Sequence, residues 1–166
     1  FGDSSGNIWV ATLENGLNLY LPNTYSFFRY PFTRFGRDRI CSNSISAITE
    51  TRDGMLWLGT DNGLTKLNPD NGSAVCYQNK PQDPDTISSN FIETLFVDQA
   101  GNLWVGTARG LDQFRSGKNV FSHLTYNPAH LDSLSTETVY SVFVDRGGVL
   151  WVGTYGGGIN KHDPTE

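Results

Sequence analysis

The chain has 166 residues, the length of one ordinary domain, with 13% aromatic residues and 18 glycines. This composition favours short strands joined by tight turns over a helical protein, and the aromatic content argues against a disordered chain. The net charge of −5 disfavours nucleic-acid binding, because that function normally needs a basic face. No apolar run is long enough to span a bilayer.

Four repeats follow one another along the chain, each built around a tryptophan. The tryptophans are Trp9, Trp57, Trp104 and Trp151, spaced by 48, 47 and 47 residues. A threonine follows each of them three residues later: Thr12, Thr60, Thr107 and Thr154. In three repeats a glycine stands between the two: Gly59, Gly106 and Gly153. Self-similarity at a fixed period indicates a repeat architecture.

The second repeat shows the predicted elements of one unit. Residues 45–51 alternate apolar and polar side chains, and three further strands are predicted at 55–60, 64–68 and 73–78. Turn residues separate these strands, and Asn62-Gly63 predicts a tight hairpin with the positive φ values of a primed turn. A polar stretch over residues 79–90 leads to the next repeat.

Four strands in a repeat of about 40–50 residues are typical of a β-propeller blade. The sequence therefore predicts an all-β propeller fragment of four-stranded antiparallel blades, at residues 1–32, 45–79, 91–126 and 138–166. The first blade is expected to lack most of its first strand and the last its fourth, leaving two complete and two partial blades. Because such a fragment has open sheet edges, we expect it to belong to a larger protein or to self-associate.

The repeated residues have expected structural roles. The tryptophan should pack between adjacent blades, and the glycine two residues later should let neighbouring sheets approach closely. An aspartate stands three residues before the first turn glycine in three repeats: Asp3, Asp98 and Asp145. It suits a hydrogen bond from its side chain to the turn backbone, and Thr51 takes its place in the second repeat.

The turns between second and third strands are the candidate ligand-binding positions, because in propellers they share one face with the loops between blades. The candidate ligand contacts are Glu14, Asp61, Arg109 and Tyr155. The tyrosine could stack on a sugar ring, and the charged groups could hydrogen-bond hydroxyls. Plain variation in turn sequence is the alternative interpretation.

Residues 25–39 interleave four arginines with aromatic residues. Arginine binds carboxylate or sulfate groups in a bidentate manner, so one interpretation is a contact with an acidic glycan. A second is a strip for single-stranded nucleic acid, which the acidic charge of the chain disfavours. The third is an outer strand and a long connection with solvated arginines.

The remaining residues predict no catalytic, metal or cofactor site. His123, His130 and His162 lack the spacing of metal ligands and would form a site only by converging at a propeller axis. Cys41 and Cys76 are too few for a disulfide framework, and we expect them to be free thiols. No Ser-His-Asp or Cys-His arrangement is indicated by spacing.

In its longest motifs the repeat resembles the two-component regulator propeller repeat. The motifs are Asp-Ser-Leu-Ser at 132–135, the alternating strand at 139–145 and the segment at 150–160 that begins Leu-Trp-Val-Gly-Thr. Shorter matches lie at 85–90 and 43–46, so the resemblance covers essentially the whole chain. Ala11, in place of the usual glycine, and residues 25–39 depart from the pattern.

This resemblance implies the periplasmic sensor region of a hybrid two-component system histidine kinase of Bacteroidetes, held in the inner membrane. It implies a non-catalytic module that senses oligosaccharides and signals to gene regulation. The implied partners are further propeller blades, neighbouring domains of the same protein and a second copy in a homodimer, with no nucleic acid bound by this segment. Because the motif is structural, the resemblance transfers no ligand residues. A propeller lyase or hydrolase and a purely structural or protein-interaction propeller remain as alternatives.

Overall fold

The computed structural model describes residues 1–30 and 40–162, which form fourteen β-strands in four antiparallel sheets. No helix occurs in this described part of the chain. The predicted all-β class, a propeller fragment of antiparallel blades, is therefore confirmed.

Each sheet is one blade, and its strands lie side by side in chain order. The first blade contains β1 (Ile8–Ala11), β2 (Leu17–Leu21) and β3 (Ser26–Arg29). The second contains β4 (Ile45–Glu50), β5 (Leu56–Thr60), β6 (Gly63–Leu67) and β7 (Ala74–Tyr77). The third contains β8 (Ile92–Val97), β9 (Leu103–Thr107), β10 (Gly110–Arg115) and β11 (Val120–Leu124). The fourth contains β12 (Val139–Val144), β13 (Leu150–Thr154) and β14 (Gly158–His162).

The hairpin between β5 and β6 differs from the primed turn expected at Asn62-Gly63. Thr60 pairs with Gly63, so the turn itself is Asp61-Asn62. Of the expected pair only Gly63 has a positive φ, +121°, and it is already the first residue of β6. An added Cβ there would lie 2.5 Å from the Tyr77 carbonyl oxygen, so the glycine serves the close approach of β7.

The core lies between blades, in three apolar layers. In the first layer Trp9 and Leu17 of the first blade pack against residues of the second, among them Ile45 and Leu58. Trp57 likewise packs against the third blade, where its ring centroid lies 4.9 Å from that of Phe114. Trp104 packs at the edge of the layer between the third and fourth blades. The predicted role of the tryptophans between blades is thus confirmed for these three.

The tryptophans of the first two blades are more deeply buried than those of the last two. Trp9 and Trp57 are 2% and 1% exposed, and Trp104 is partly buried. Trp151 is 38% exposed, because no further sheet packs against the fourth blade within the described residues. The burial of each tryptophan therefore depends on the blade that follows it.

The glycines after the tryptophans allow the close approach that was predicted. An added Cβ at Gly59 would lie 2.6 Å from Ile92 Cγ2 of the next blade. At Gly106 it would lie 2.9 Å from Val139 Cγ1 of the next blade. Contacts this short have no room for a methyl group, so neighbouring blades are spaced by these glycines.

The arginine-rich stretch is described only in its first part. β3 ends at Arg29, and Phe27 and Phe28 on this strand are exposed. Residues 31–39 lie outside the described residues. The three interpretations of this stretch stay predictions.

Candidate functional site

The turns between second and third strands lie beside the loops that enter each blade. The Asp61 amide donates to the Ser44 carbonyl, at 3.3 Å between nitrogen and oxygen, and the Ala108 amide donates to Phe91, at 3.1 Å. The Tyr155 amide donates to the Thr138 carbonyl at 2.9 Å. We call this end of the blades the loop face, formed by residues 12–16, 42–44, 60–63, 88–91, 107–110, 135–138 and 154–158.

The repeated threonine holds each of these turns closed. The Thr60 hydroxyl is buried and donates to the Gly63 carbonyl at 2.7 Å, while it accepts the Asn62 amide at 3.1 Å. Thr107 makes the same two bonds, with Gly110 and Arg109. Thr12 and Thr154 bond the corresponding glycine carbonyls. The threonine is therefore a turn residue, whose hydroxyl bonds the backbone of its own turn.

All four candidate ligand residues lie in loop-face turns, one on each blade, and all are exposed: Glu14, Asp61, Arg109 and Tyr155. The structure adds Tyr140, whose ring centroid lies 5.8 Å from that of Tyr155 in an edge-to-face contact. It also adds Phe91, which is exposed at the entry to β8. The sequence did not predict either residue as a ligand contact, because an aromatic residue at the start of an inner strand is expected to be buried in the core.

Phe91 and Tyr155 are linked in series, through Ala108 and Thr138, by hydrogen bonds around the loop face. Phe91 accepts the Ala108 amide, and the Ala108 carbonyl accepts the Thr138 hydroxyl at 3.4 Å. The Thr138 carbonyl in turn accepts the Tyr155 amide. Positions from two blades are thereby fixed relative to one another, which is what a binding surface for an extended ligand needs.

The loops entering the second, third and fourth blades are each fastened at one repeated position. The Cys41 amide donates to Thr65 Oγ1 at 2.8 Å, and in the next blade the Ser88 amide donates to Asp112 Oδ2 at 2.7 Å. In the fourth blade the Ser135 amide donates to Asn160 Oδ1 at 2.8 Å. The acceptor is always on the third strand, where it pairs across the sheet with the residue after the repeated tryptophan. This anchor holds the loop face on the rigid sheets.

In the second blade the anchor is covalent, and the expectation of free thiols is wrong. Cys41 and Cys76 form a disulfide bond, with 5.4 Å between their Cα atoms. Cys76 pairs with Thr65 across the sheet, and the loop entering the blade carries Cys41 over the same point. A count of cysteines could not show this, because the juxtaposition depends on the path of the loop.

In the third blade a histidine and a carboxylate lie at the position where the entering loop is anchored. His123 Nδ1 lies 2.6 Å from Asp112 Oδ1, and its Nε2 lies 2.8 Å from the Pro84 carbonyl oxygen. The hydrogen bond with Asp112 raises the pKa of His123 above its ordinary value of 6.5, although burial opposes the rise. His123 lies on β11, the outermost strand of its blade.

The other end of the blades is organised around the tryptophan indoles. Asp98 accepts the Trp104 indole N–H at 3.0 Å and the Asn102 amide at 2.8 Å. Asp3 and Asp145 bond Trp9 and Trp151 in the same way, and Thr51 accepts the Trp57 indole. The predicted hydrogen bond between this side chain and the turn backbone is present. The hydrogen bond from the indole was not predicted from the sequence.

The pKa of Asp98 is lowered by this arrangement. Burial works to raise it, but hydrogen bonds from Trp104, Asn102 and the backbone outweigh burial. Within residues 1–30 and 40–162, no group of three or more His, Cys, Asp or Glu side chains could hold a metal ion. The same residues include no helix with the length and apolar character of a membrane span.

Three segments of the chain match the family model named two component regulator propeller: residues 39–62, 86–109 and 133–156. Each segment contains the end of an entering loop, the first two strands of a blade and the turn after them. The matches therefore coincide with the second, third and fourth blades. No curated protein matches the sequence.

The fold is similar to that of solved extracellular domains. One is from a protein described as a hybrid two component system of B. thetaiotaomicron, with a TM-score of 0.86 and 24% identity over 100% of this chain and 23% of that chain. A second hybrid system of the same organism gives a TM-score of 0.78 and 22% identity, over 96% of this chain and 20% of the other. This chain thus spans about a quarter of the length of these structures or less.

A virginiamycin B lyase from Staphylococcus aureus shares the fold at greater distance. Its TM-score is 0.65 and its identity 14%, over 100% of this chain and 55% of the lyase. These similarities establish the propeller architecture of the chain.

Proposed function

We propose that this chain, which carries two-component regulator propeller repeats, is a non-catalytic, extracytoplasmic sensor module of a hybrid two-component system histidine kinase. The observation that carries the proposal is the coincidence of three repeat matches with three blades whose fold is similar to that of extracellular domains of such systems. The kinase and the membrane anchor belong to the same protein outside this segment, and further blades complete the propeller.

The disulfide supports the periplasmic location. Bonds such as Cys41–Cys76 form and persist in oxidising compartments and are rare where thiols are kept reduced. The bacterial periplasm is an oxidising compartment. The disulfide is therefore consistent with our proposal that the sensor module lies on the outer side of the inner membrane.

The proposed ligand is an oligosaccharide bound at the loop face. Tyr155 is 72% exposed and packs edge-to-face against Tyr140, so the pair offers aromatic surface to the apolar face of a sugar ring. Arg109, Asp61 and Glu14 supply charged donors and acceptors for hydroxyl groups from neighbouring turns. Binding favours one arrangement of a receptor homodimer, and this shift in population crosses the membrane.

A propeller enzyme is the second candidate, since the lyases share the fold and His123 has a carboxylate partner. The position of the pair argues against it. Asp112 is fully buried, and His123 is engaged on both ring nitrogens at the outer strand, away from the inner strands β4, β8 and β12. A protein-interaction propeller without a small ligand is the third candidate.

The test is a thermal-shift screen of the purified protein against plant and host oligosaccharides. A ligand at about 100 times its dissociation constant should stabilise the fold by roughly 2.7 kcal/mol. The combined Glu14→Ala, Asp61→Ala, Arg109→Ala and Tyr155→Ala variant should lose the shift. Tyr25→Ala and Arg146→Ala, exposed residues away from the loop face, should keep it.

The results of this screen distinguish the sensor from the protein-interaction propeller and test the four candidate residues. A selective hit that the four-residue variant abolishes supports the sensor and its loop face. A hit that survives this variant removes these four residues from the site. A clean melting transition with no shift across the panel favours the protein-interaction propeller.

A further inference from the structure

A cleft of about 670 Å³ opens between the second and third blades, at the end opposite the loop face. Its base is Trp57, Leu103 and Phe114 of the apolar layer between these blades. One wall is the turn at residues 51–53, and the other is formed by residues 100–102 and 115–118. A volume of this size is in the range of small-ligand sites.

The cleft concentrates positive charge. Within the part of the chain that the structure describes, its lining includes four cationic side chains and a single carboxylate, that of Asp53: Arg52, Lys66, Arg115 and Lys118 are the cations. These four are a third of the twelve lysines and arginines in a chain whose net charge is −5. Local charge opposite to that of the whole molecule creates an attraction for anions at this cleft.

The charge is not a by-product of the repeat. Among residues 1–30 and 40–162, the equivalent cleft between the first and second blades is lined by carboxylates and by no lysine or arginine: its acids are Asp3, Glu50, Asp53 and Asp70. The two clefts share the same scaffold, with a repeated tryptophan at the base of each. Their opposite charge is therefore a property of the side chains placed on that scaffold.

Two of the cations are fixed in place and two have free donors. Lys66 Nζ lies 3.5 Å from Asp53 Oδ2 and 5.5 Å from the centroid of the Trp57 ring. Arg52 donates to the Gln99 carbonyl across the mouth of the cleft. Arg115 uses only Nε, to Ser122 Oγ, and the Lys118 ammonium has no partner among the described residues. The unused guanidinium and ammonium donors stand on one wall.

We propose that this cleft binds the acidic group of a sugar ligand, either the carboxylate of a uronic acid or a sulfate ester. The proposal rests on the oligosaccharide-sensing function above and adds a separate site, selective for acidic sugars, at the end opposite the loop face. The Arg115 fork matches the two oxygens of a carboxylate or sulfate, and Lys118 adds a second charge-assisted bond. Asn102 and Gln113, which also line the cleft, offer amides to the sugar hydroxyls.

The test is an NMR titration of the purified protein at constant ionic strength. The probes are glucuronic acid, glucose 6-sulfate, neutral glucose and sodium sulfate. We expect both acidic sugars to shift the backbone amides of Asn102 and Gly117, which line the cleft, and glucose to leave them unchanged at the same concentration. The Arg115→Gln/Lys118→Gln double variant should bind both acidic sugars at least about tenfold more weakly than the wild type.

The matched control is Arg29→Gln/Lys80→Gln, which changes the net charge equally at exposed positions outside the cleft. Equal weakening by both double variants would reveal a general charge effect and overturn the proposal. Sodium sulfate binding as tightly as glucose 6-sulfate would overturn the assignment to a sugar.

Failure here can be told apart from failure of the sensor function. A neutral oligosaccharide that stabilises the protein, with no acidic sugar acting on the cleft, overturns this proposal and leaves the sensor standing. Acidic-sugar shifts confined to the loop face would do the same. Cleft binding with no oligosaccharide response in the thermal screen would support an acidic-sugar site and count against the sensor.

Discussion

His123 and Asp112 join the outer two strands of the third blade, with 2.6 Å between Nδ1 and Oδ1 and the carboxylate fully buried. The pKa of His123 is raised, mainly by this bond, so protonated histidine is favoured in the folded state. Its contribution to stability is complete below the unfolded pKa near 6.5 and is lost as pH rises through the folded pKa. The difference in unfolding free energy between wild type and His123→Gln should therefore shrink from about pH 5.5 to about pH 8.5.

Urea denaturation of both proteins at the two pH values measures this difference. His130→Gln is the control, because His130 is exposed and its side chain makes no hydrogen bond among the described residues. It should change stability equally little at both pH values. A constant penalty for His123→Gln across the range would contradict a role for the charged pair.

Reduction of the Cys41–Cys76 bond should destabilise the chain by about 2–4 kcal/mol, because the cross-link closes a long loop in the unfolded state. The two cysteines are separated by 35 residues in sequence. Urea transitions with and without a thiol reductant give the value. A Cys41→Ala/Cys76→Ala variant should be as unstable as the reduced protein and insensitive to the reductant; an unchanged transition in the wild type would contradict the prediction.

Gly106→Ala should destabilise the protein by about 1–3 kcal/mol through overpacking. The new methyl group would lie 2.5 Å from Thr94 Cγ2 and 2.9 Å from Val139 Cγ1, so two blades would have to separate. Gly117→Ala is the matched control, since no heavy atom lies within 4 Å of its added Cβ. It should be neutral or stabilising by up to about 1 kcal/mol. Similar melting temperatures for the two variants would show that Gly106 does not set the spacing.

Asp98→Ala should cost about 1–3 kcal/mol, because the Trp104 indole and the Asn102 amide lose their acceptor. Since the pKa of Asp98 is lowered, its contribution is present above the ordinary value of 3.8 and fades as pH falls through the folded pKa. The penalty measured by denaturation at neutral pH should therefore diminish in acid. Asp132→Ala, at an exposed loop position, should cost little at either pH; an equal penalty there would show that the effect is not specific to the indole bond.

The architecture could be predicted because the same motif repeats along the sequence at a nearly constant spacing. One tryptophan in each repeat, with glycine two residues later in three of them, predicts an aromatic side chain packed between blades and a close approach of the neighbouring sheet. Both were found, at Trp57 and Gly59. The first and second strands of the second blade were placed within one residue of their observed bounds. These features depend on neighbours within one blade or on the same position in the next.

The features that sequence missed depend on the path of a loop over a blade. Cys41 meets Cys76, and Pro84 meets His123, only because each entering loop crosses the outer strand before it reaches the inner one. The spacing of these residues along the chain does not indicate that crossing. The same holds for Arg115 and Lys118, whose charges matter only once the turn of the neighbouring blade lies opposite.

The graded burial of the four tryptophans gives the molecule a built-in optical reporter. Trp9 and Trp57 are shielded from water, whereas Trp151 is 38% exposed on the last blade. The Trp151 indole should emit at longer wavelength than those of Trp9 and Trp57 and be quenched by iodide more strongly than they are. Anything that docks against the fourth blade would shift that emission to the blue, so assembly on this side can be followed without a label.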